Sequence, residues 1–218
     1  MKTLFVHIPK CAGTFIEKYL VKNNIEKKYY CHKILKYDIH LYKNYNIITS
    51  IRNPIDRFVS LYFYINDRIK NLSITEIEYK SVQFHINLRK KYNINNFKDY
   101  CNQFENIFNQ NILIDYNNLK YINDNINQIS DNPKNGFYPQ SWFICDNNNE
   151  LLVNKVFIDI DLENQLNNYF HKSNSYDKLT NKVNTSNYNE KYDLDVNIIN
   201  ILKKIYKNDF ELYNRFKG

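Results

Sequence analysis

The sequence contains few of the residues that break regular structure. Only 3 Gly and 4 Pro occur among the 218 residues, and neither type occurs between Pro54 and Pro133. Glycine and proline mark turns and helix ends, so this scarcity favours a helical middle of the chain. Where one of these residues does occur, it marks a point at which the backbone needs a special geometry.

Long apolar runs are also missing. No stretch of about 18 or more apolar residues occurs, which excludes a membrane-spanning helix. The first apolar run, residues 4–8, is too short and too β-branched for a signal peptide. We therefore expect a cytoplasmic or otherwise soluble chain, which stays on the side of the membrane where it is made.

Cysteine is sparse, and the sequence shows no metal-binding spacing. The four cysteines include no C-x-x-C pair and are too few for a disulfide framework: Cys11, Cys31, Cys101 and Cys145. We expect them to be reduced. His7, His32 and His40 are not separated by short metal-ligand intervals, so no metal site is expected.

The composition is that of a folded domain with a modest positive charge. Hydrophobic residues make up 43% of the chain, which is enough to fill a core, and the formal net charge is +7. This charge favours an anionic partner or serves solubility alone. Nucleic-acid binding is not expected, because no element combines clustered Lys and Arg with interleaved aromatic residues.

Hydrophobic spacing indicates strands that alternate with helices. It predicts buried strands at residues 4–8 and 46–51, helices from residue 55 and near 76–91 and 97–109, extended pieces at 142–145 and 151–158, and one or two closing helices between 199 and 213. This alternation is typical of an α/β fold with a mostly parallel sheet. We predict one domain over residues 1–218, with a helical, Asn-rich insertion around 70–135.

A short loop joins the strand predicted at residues 4–8 to a first helix, which the spacing of Phe15, Ile16, Tyr19 and Leu20 predicts before Asn23. It contains Pro9, Lys10 and Gly13 and ends at Thr14. The N–H groups and the dipole at a helix start attract anions, Gly13 allows close approach, and Lys10 supplies a positive charge. The lysine precedes the glycine, unlike in the G-x-x-x-x-G-K-[ST] loop of nucleoside triphosphatases. The loop therefore favours a phosphate-like group handled without a metal, with an ordinary strand-turn-helix as the alternative.

A second candidate site begins where the strand at residues 46–51 ends. Arg52 follows that strand, at the end where open parallel sheets bind ligands, and Pro54 starts the next helix. Arg57 and Ser60 fall on a different helical face from the apolar residues. Arg52 and Ser60 are expected to converge on one oxyanion. In the alternative, Arg52 and Arg57 form exposed ion pairs.

The two segments together resemble a known family. Residues 7–14 (H-I-P-K-C-A-G-T) are similar to the H-I-P-K-x-A-G-T-S loop, and residues 52–62 contain the R-x-P-x-x-R-x-x-S-x-Y signature, of the Golgi-type carbohydrate sulfotransferases of heparan and chondroitin. These enzymes use 3′-phosphoadenosine 5′-phosphosulfate (PAPS). Residues 138–141, 183–186 and 206–216 show fainter similarity. The resemblance implies a three-layer, P-loop-like α/β fold whose sheet is flanked by helices, in a family whose members reside in the Golgi.

The resemblance also implies roles for individual residues. The loop would bind the 5′-phosphosulfate through six residues: Lys10, Cys11, Ala12, Gly13, Thr14 and Phe15. Phe15 stands where the family usually has Ser, which removes a hydroxyl from the helix start. Arg52 and Ser60 would hold the 3′-phosphate, and Arg57 would brace the fold.

Sulfuryl transfer to a hydroxyl needs charge stabilisation and a base. Lys10 is the candidate to neutralise charge on the departing 5′-phosphate oxygen. Histidine is suited to accept the proton of the acceptor near neutral pH. His32 is the first candidate, because it lies between the first helix and the second strand, much where glycan 2-O- and 6-O-sulfotransferases place their catalytic His. His40 is the second candidate.

The leading hypothesis is a PAPS-dependent sulfotransferase that acts on a carbohydrate hydroxyl. The acceptor would be a glycan or another hydroxyl-bearing molecule, anionic acceptors included. The alternative is a non-catalytic nucleotide- or glycan-binding protein with the same fold. Thiol catalysis is disfavoured, because neither Cys11 nor Cys31 begins a phosphatase-type C-x-x-x-x-x-R motif.

Overall fold

The computed structural model describes residues 2–70, 80–120, 134–172 and 194–217. The chain divides into two compact units: a first unit of Met1–Asn53, Gln140–Thr185 and Asn208–Gly218, and a second unit of Pro54–Pro139 and Ser186–Lys207. Part of the predicted insertion at 70–135 and the similarity at 183–186 lie outside the described residues. The single-domain organisation with this insertion stays a prediction.

A four-stranded parallel sheet forms the centre of the first unit. Its strands are β1 Thr3–His7, β2 Lys27–Cys31, β3 Asn46–Ile51 and β4 Lys155–Ile158, in the order β2-β1-β3-β4. All three strand pairs are parallel, with Leu4 opposite Ile47 and Thr49 opposite Val156. The predicted strands at residues 4–8 and 46–51 are confirmed, and so is the α/β class.

Eight α-helices lie within the described residues. They are α1 Gly13–Lys22, α2 Pro54–Lys70, α3 Lys80–Lys91, α4 Phe97–Ile107, α5 Gln140–Ile144, α6 Leu162–Phe170, α7 Val196–Ile205 and α8 Lys207–Lys217. Within those parts of the chain, no helix is both long enough and apolar enough to cross a membrane. The predicted helices from residue 55 and near 97–109 are confirmed as α2 and α4. The two closing helices are α7 and α8.

The central strands are buried on both faces. Residues 3–6 of β1 and residues 47–51 of β3 are all buried, although alternate side chains of a strand point to opposite sides of the sheet. Both faces must therefore be covered, which is typical of parallel sheets flanked by helices and confirms the three-layer α/β fold. On one face, α1 and α6 pack against the sheet through Phe5, Ile16, Tyr19, Leu20, Ile48, Phe157, Leu162 and Leu166.

The second unit has an aromatic core built by α2 and α4. Phe58 stacks on Tyr100 with ring centroids 5.0 Å apart, and meets Phe104 edge-on at 4.7 Å. Tyr62 packs against Phe97 at 5.0 Å. Aromatic pairs in these geometries each contribute about 0.5–1.5 kcal/mol beyond the area that they bury, so α2 is held firmly against α4.

Residues 142–144 of the predicted extended piece form a helix instead, whereas Cys145 lies after the helix in an isolated antiparallel bridge. The helix is α5, whose first N–H groups are capped from far away in the sequence: the carboxylate of Asp209 accepts from the N–H of Gln140 at 2.7 Å and of Ser141 at 2.8 Å. Such a long-range cap leaves no local sequence signal. A turn follows residue 145, in which the Asp146 N–H donates to the Glu150 carbonyl at 2.9 Å.

Asp209→Asn should destabilise the protein strongly, because the carboxylate that caps α5 is buried. Asp209 is only 1% exposed, and the asparagine amide would turn donors toward N–H groups that need an acceptor. We expect unfolding free energy to fall by about 2–4 kcal/mol in urea denaturation. The matched control is Asp195→Asn at the exposed N-cap of α7, where asparagine caps equally well. Equal losses in both variants would contradict the capping role of Asp209.

Candidate active site

The candidate site residues of the first unit lie at one edge of its sheet. Since all four strands are parallel, their carboxyl ends meet at the same edge. Lys10, His32, Arg52 and Asp159 follow the ends of β1, β2, β3 and β4. Open parallel sheets bind their ligands at this edge. The expectation that Lys10 and Arg52 follow the ends of separate strands is confirmed.

The loop after β1 has an unusual and well-supported backbone. Lys10 and Ala12 adopt left-handed conformations, with φ of 66° and 58°, which non-glycine residues rarely do. The Cys11 N–H donates to the Ile8 carbonyl at 3.3 Å, and the hydroxyl of Ser50 in β3 donates to the Cys11 carbonyl. Strained backbone persists only where its surroundings enforce it, so these contacts fix the shape of the loop.

Helix α1 begins at Gly13, directly after this loop. The N–H groups of Phe15 and Ile16 both donate to the Ala12 carbonyl, at 3.0 and 3.2 Å. The N–H groups at a helix start point away from the helix body, which is the geometry that attracts anions. The Phe15 side chain is partly buried against the core of the unit. The loop therefore keeps its helix-start geometry without the usual serine hydroxyl.

Gly13 is required by the ring of His7 rather than by an unusual backbone angle. A Cβ atom at position 13 would lie 1.9 Å from Nε2 of His7, well inside van der Waals contact. The His7 ring also stacks on Phe5, with ring centroids 5.8 Å apart. The pair of Gly13 and His7 thus sets the distance between α1 and β1.

His32 lies beside His7, at the end of β2. Its N–H donates to the His7 carbonyl at 3.1 Å, its φ is 55°, and its half-buried ring meets the His7 ring edge-on at 4.9 Å. The first-choice candidate base is therefore adjacent to the ring that packs against the loop. His40, the second choice, is exposed in a short 3₁₀ helix.

The remaining two histidines received no catalytic role from the sequence. In the second unit, burial and then the nearby Arg89 lower the pKa of His85 to about 3, which makes it a poor base near neutral pH. His171 is exposed at the end of α6.

Gln140 joins the loop to the end of β3. Its Oε1 accepts from the Arg52 N–H at 2.8 Å and from the Cys11 thiol at 3.0 Å, while its Nε2 donates to the Arg52 carbonyl at 2.9 Å. The Gln140 side chain is buried, with the residue 1% exposed. The sequence pointed to this residue only through the faint similarity at 138–141, and its role as a clamp was missed.

The Arg52 guanidinium has an acidic neighbour. Its Nε lies 3.6 Å from Oδ2 of Asp159, and Oδ1 of Asp159 accepts from the Tyr213 hydroxyl at 3.0 Å. Asp159 received no role from the sequence. Together with Gln140, which holds the Arg52 backbone, Asp159 orients the guanidinium at the edge of the sheet.

A comparison with known protein families shows to which family the chain belongs. A model of the sulfotransferase family matches residues 1–217, nearly the whole sequence. The chain belongs to the sulfotransferase family. This membership indicates a sulfotransferase enzyme that acts on a hydroxyl-bearing acceptor. No curated protein and no solved structure is significantly similar to the chain.

The other residues of the sulfotransferase signature lie in the second unit, on α2. Arg57 is 3% exposed, and its Nη1 donates to the Tyr138 carbonyl at 3.0 Å. This contact supports the bracing role and excludes an exposed ion pair for Arg57. Ser60 is also buried, at 4% exposure. Its contact with a 3′-phosphate stays a prediction from the motif.

Three of the four cysteines of this sulfotransferase, Cys31, Cys101 and Cys145, are poor nucleophiles. All four lie within described residues as thiols, without a disulfide. Burial, and then the charge of Glu17, raises the pKa of Cys31 to about 11. Burial also raises the pKa of Cys101 and of Cys145 to about 12. These thiols stay protonated near neutral pH, which disfavours thiol catalysis.

Gly13→Ala should disrupt the loop. The new methyl group would overlap the His7 ring, so either that ring or the start of α1 must move. We expect a loss of about 1–3 kcal/mol in unfolding free energy, as for overpacked cores, together with weaker binding of adenosine 3′,5′-bisphosphate. Ala12→Gly is the control, because glycine suits the left-handed backbone at position 12. Wild-type stability and affinity in Gly13→Ala would contradict the close packing of Gly13 on His7.

Proposed function

We propose that the protein transfers a sulfuryl group from PAPS to a hydroxyl of a carbohydrate acceptor. The observation that carries this proposal is the placement of Lys10, His32 and Arg52 after the carboxyl ends of three parallel strands of one sheet. Each residue type suits one task in the reaction. Lysine can neutralise charge at the leaving group, histidine can remove the proton of the acceptor, and arginine can anchor the donor.

The donor would be held by two separate anion sites. The loop and the first turn of α1 surround one anion with N–H groups, and Lys10 adds a charge. Arg52 offers a second cationic group after β3, the strand adjacent to β1. The position of Lys10 and Arg52 after neighbouring strands supports the proposal that they bind different phosphates of one nucleotide. By the family motif, Ser60 joins Arg52 at the 3′-phosphate.

In this reaction the protein contributes little covalent chemistry. A planar sulfuryl group passes in line between two oxygens, so positioning and charge stabilisation dominate. Lys10 would offset negative charge that develops on the departing 5′-phosphate oxygen. His32 would take the proton of the acceptor hydroxyl. The transfer itself would use no metal, since the loop differs from the metal-dependent nucleotide loops.

The net charge of +7 is compatible with an anionic glycan as the acceptor. A protein that only binds a nucleotide or a glycan is the second candidate, favoured by the phenylalanine at position 15. Labelled sulfate separates the two functions: the enzyme transfers it from PAPS to members of a glycan panel. A binder with normal affinity for the donor transfers none.

Binding of the spent donor should stabilise the protein. Adenosine 3′,5′-bisphosphate at about 100 times its dissociation constant should add about 2.7 kcal/mol, a shift of a few degrees in the unfolding midpoint. AMP, which lacks the 3′-phosphate, and ATP should shift the midpoint much less at the same concentration. Arg52→Ala should remove most of this difference, measured by thermal unfolding. Equal shifts from all three nucleotides would contradict a 3′-phosphate site.

A further inference from the structure

A second group of reactive side chains lies beside the loop, around the Nδ1 atom of His7. The Nδ1 atom of His7 is 3.2 Å from Oε1 of Glu17 and 3.5 Å from Sγ of Cys31. Among the described residues, these three ligand atoms all lie within 4.8 Å of one another. They come from the end of β1, the middle of α1 and the end of β2. Nothing in the proposed transfer reaction uses Glu17 or Cys31.

Two of the three separations match the edges of a tetrahedral metal site. Zinc binds histidine nitrogen at about 2.0–2.1 Å, thiolate at about 2.3 Å and carboxylate at about 2.0–2.2 Å. Tetrahedral angles then place nitrogen about 3.6 Å from sulfur and about 3.4 Å from oxygen. The observed 3.5 and 3.2 Å agree with these values. The Glu17 side chain is 31% exposed and has three rotatable bonds, so it can close the third edge.

The His7 ring is already oriented for this role. Its side chain is 15% exposed, and it is held between the Phe5 ring, the Gly13 backbone and the His32 ring. Its Nε2 faces Gly13, which leaves Nδ1 directed at Glu17 and Cys31. A ligand fixed by packing in this way loses little entropy when a metal binds.

We propose that His7, Glu17 and Cys31 form a binding site for a zinc-type transition metal ion. Nitrogen, thiolate and carboxylate ligands together favour zinc over magnesium or calcium, which prefer oxygen. Binding deprotonates the Cys31 thiol, and the proton passes to solvent. Sequence spacing gave no hint of the site, because its ligands lie on three separate elements. The site is distinct from the transfer reaction and does not depend on the proposed function.

Cobalt titration of the full chain tests the site directly. Co²⁺ in a tetrahedral thiolate site gives intense visible bands and a thiolate-to-cobalt charge-transfer band, and both should saturate at one ion per chain. Zn²⁺ should then displace Co²⁺ and abolish the bands. Absence of a saturable charge-transfer band would overturn the proposal.

Matched variants identify the ligands. Cys31→Ser should abolish the charge-transfer band, whereas Cys101→Ser, which changes a buried thiol of the second unit, should keep it. Glu17→Gln changes a partly exposed side chain and should weaken Co²⁺ affinity by about tenfold or more. A band that persists in Cys31→Ser, or an unchanged affinity in Glu17→Gln, would overturn this ligand set. Because cobalt spectra need no nucleotide, the result is independent of sulfotransferase activity.

Discussion

Replacing Lys10 with alanine should lower kcat for sulfuryl transfer by about 100-fold to 1,000-fold. Its ammonium group is the charge placed to stabilise the leaving phosphate oxygen, and losses of this size follow removal of one such group. Lysine and alanine both carry a Cβ, so the left-handed backbone at position 10 is no more strained in the variant. The measurement is transfer of labelled sulfate under saturating PAPS and acceptor.

The matched control for this variant is Lys18→Ala on the exposed face of α1. It removes the same charge from the same region without touching the loop and should keep wild-type kcat. Thermal unfolding of both variants should resemble that of the wild type, because Lys10 is only half-buried. A loss of less than about fivefold in Lys10→Ala would remove this lysine from the transfer step.

His32→Asn should lower kcat by about 10²-fold to 10⁴-fold, the usual contribution of general acid–base catalysis. Asparagine tolerates the left-handed conformation seen at position 32, where φ is 55°. The backbone, and with it the N–H bond to His7, should therefore survive. A loss of the base also removes the acidic limb of the pH–rate profile, a change that a purely structural role would not produce.

Two further measurements separate catalysis from binding at His32. Affinity for adenosine 3′,5′-bisphosphate should stay within about threefold of wild type, because the proposed base faces the acceptor and not the donor. The control His40→Asn changes an exposed histidine of the same unit and should keep full activity. If His40→Asn instead loses activity while His32→Asn keeps it, the two candidates must be exchanged.

Several elements were predictable because their signals are local. The strand at residues 46–51 carries three isoleucines and ends directly before Arg52, and α2 begins at the proline that the sequence marks as a helix start. The edge strand β2 was missed, since its residues K-K-Y-Y-C are mostly exposed or half-buried and give no apolar run. Helix α6 was missed as well, and α5 depends on a cap supplied by Asp209.

Some residues of the candidate site could likewise be predicted from local sequence signals, and others could not. Lys10 and Arg52 were recognisable because each follows a predicted strand within a short motif. The clamp formed by Gln140 was not, because its partners Cys11 and Arg52 are far from it in the sequence. The same holds for the group of His7, Glu17 and Cys31, whose spacing of 10 and then 14 residues matches no short metal motif.

The order of residues along the chain was enough to determine an α/β fold, a loop suited to an anion and a cationic residue after the next core strand. These features depend on short-range spacing, which the backbone geometry of strands and helices translates directly into structure. Only the tertiary structure decided that His32 lies against His7, that Gln140 ties Cys11 to Arg52, and that Glu17 meets Cys31. Those contacts arise because parallel pairing brings the ends of distant strands together, and no local pattern encodes that proximity.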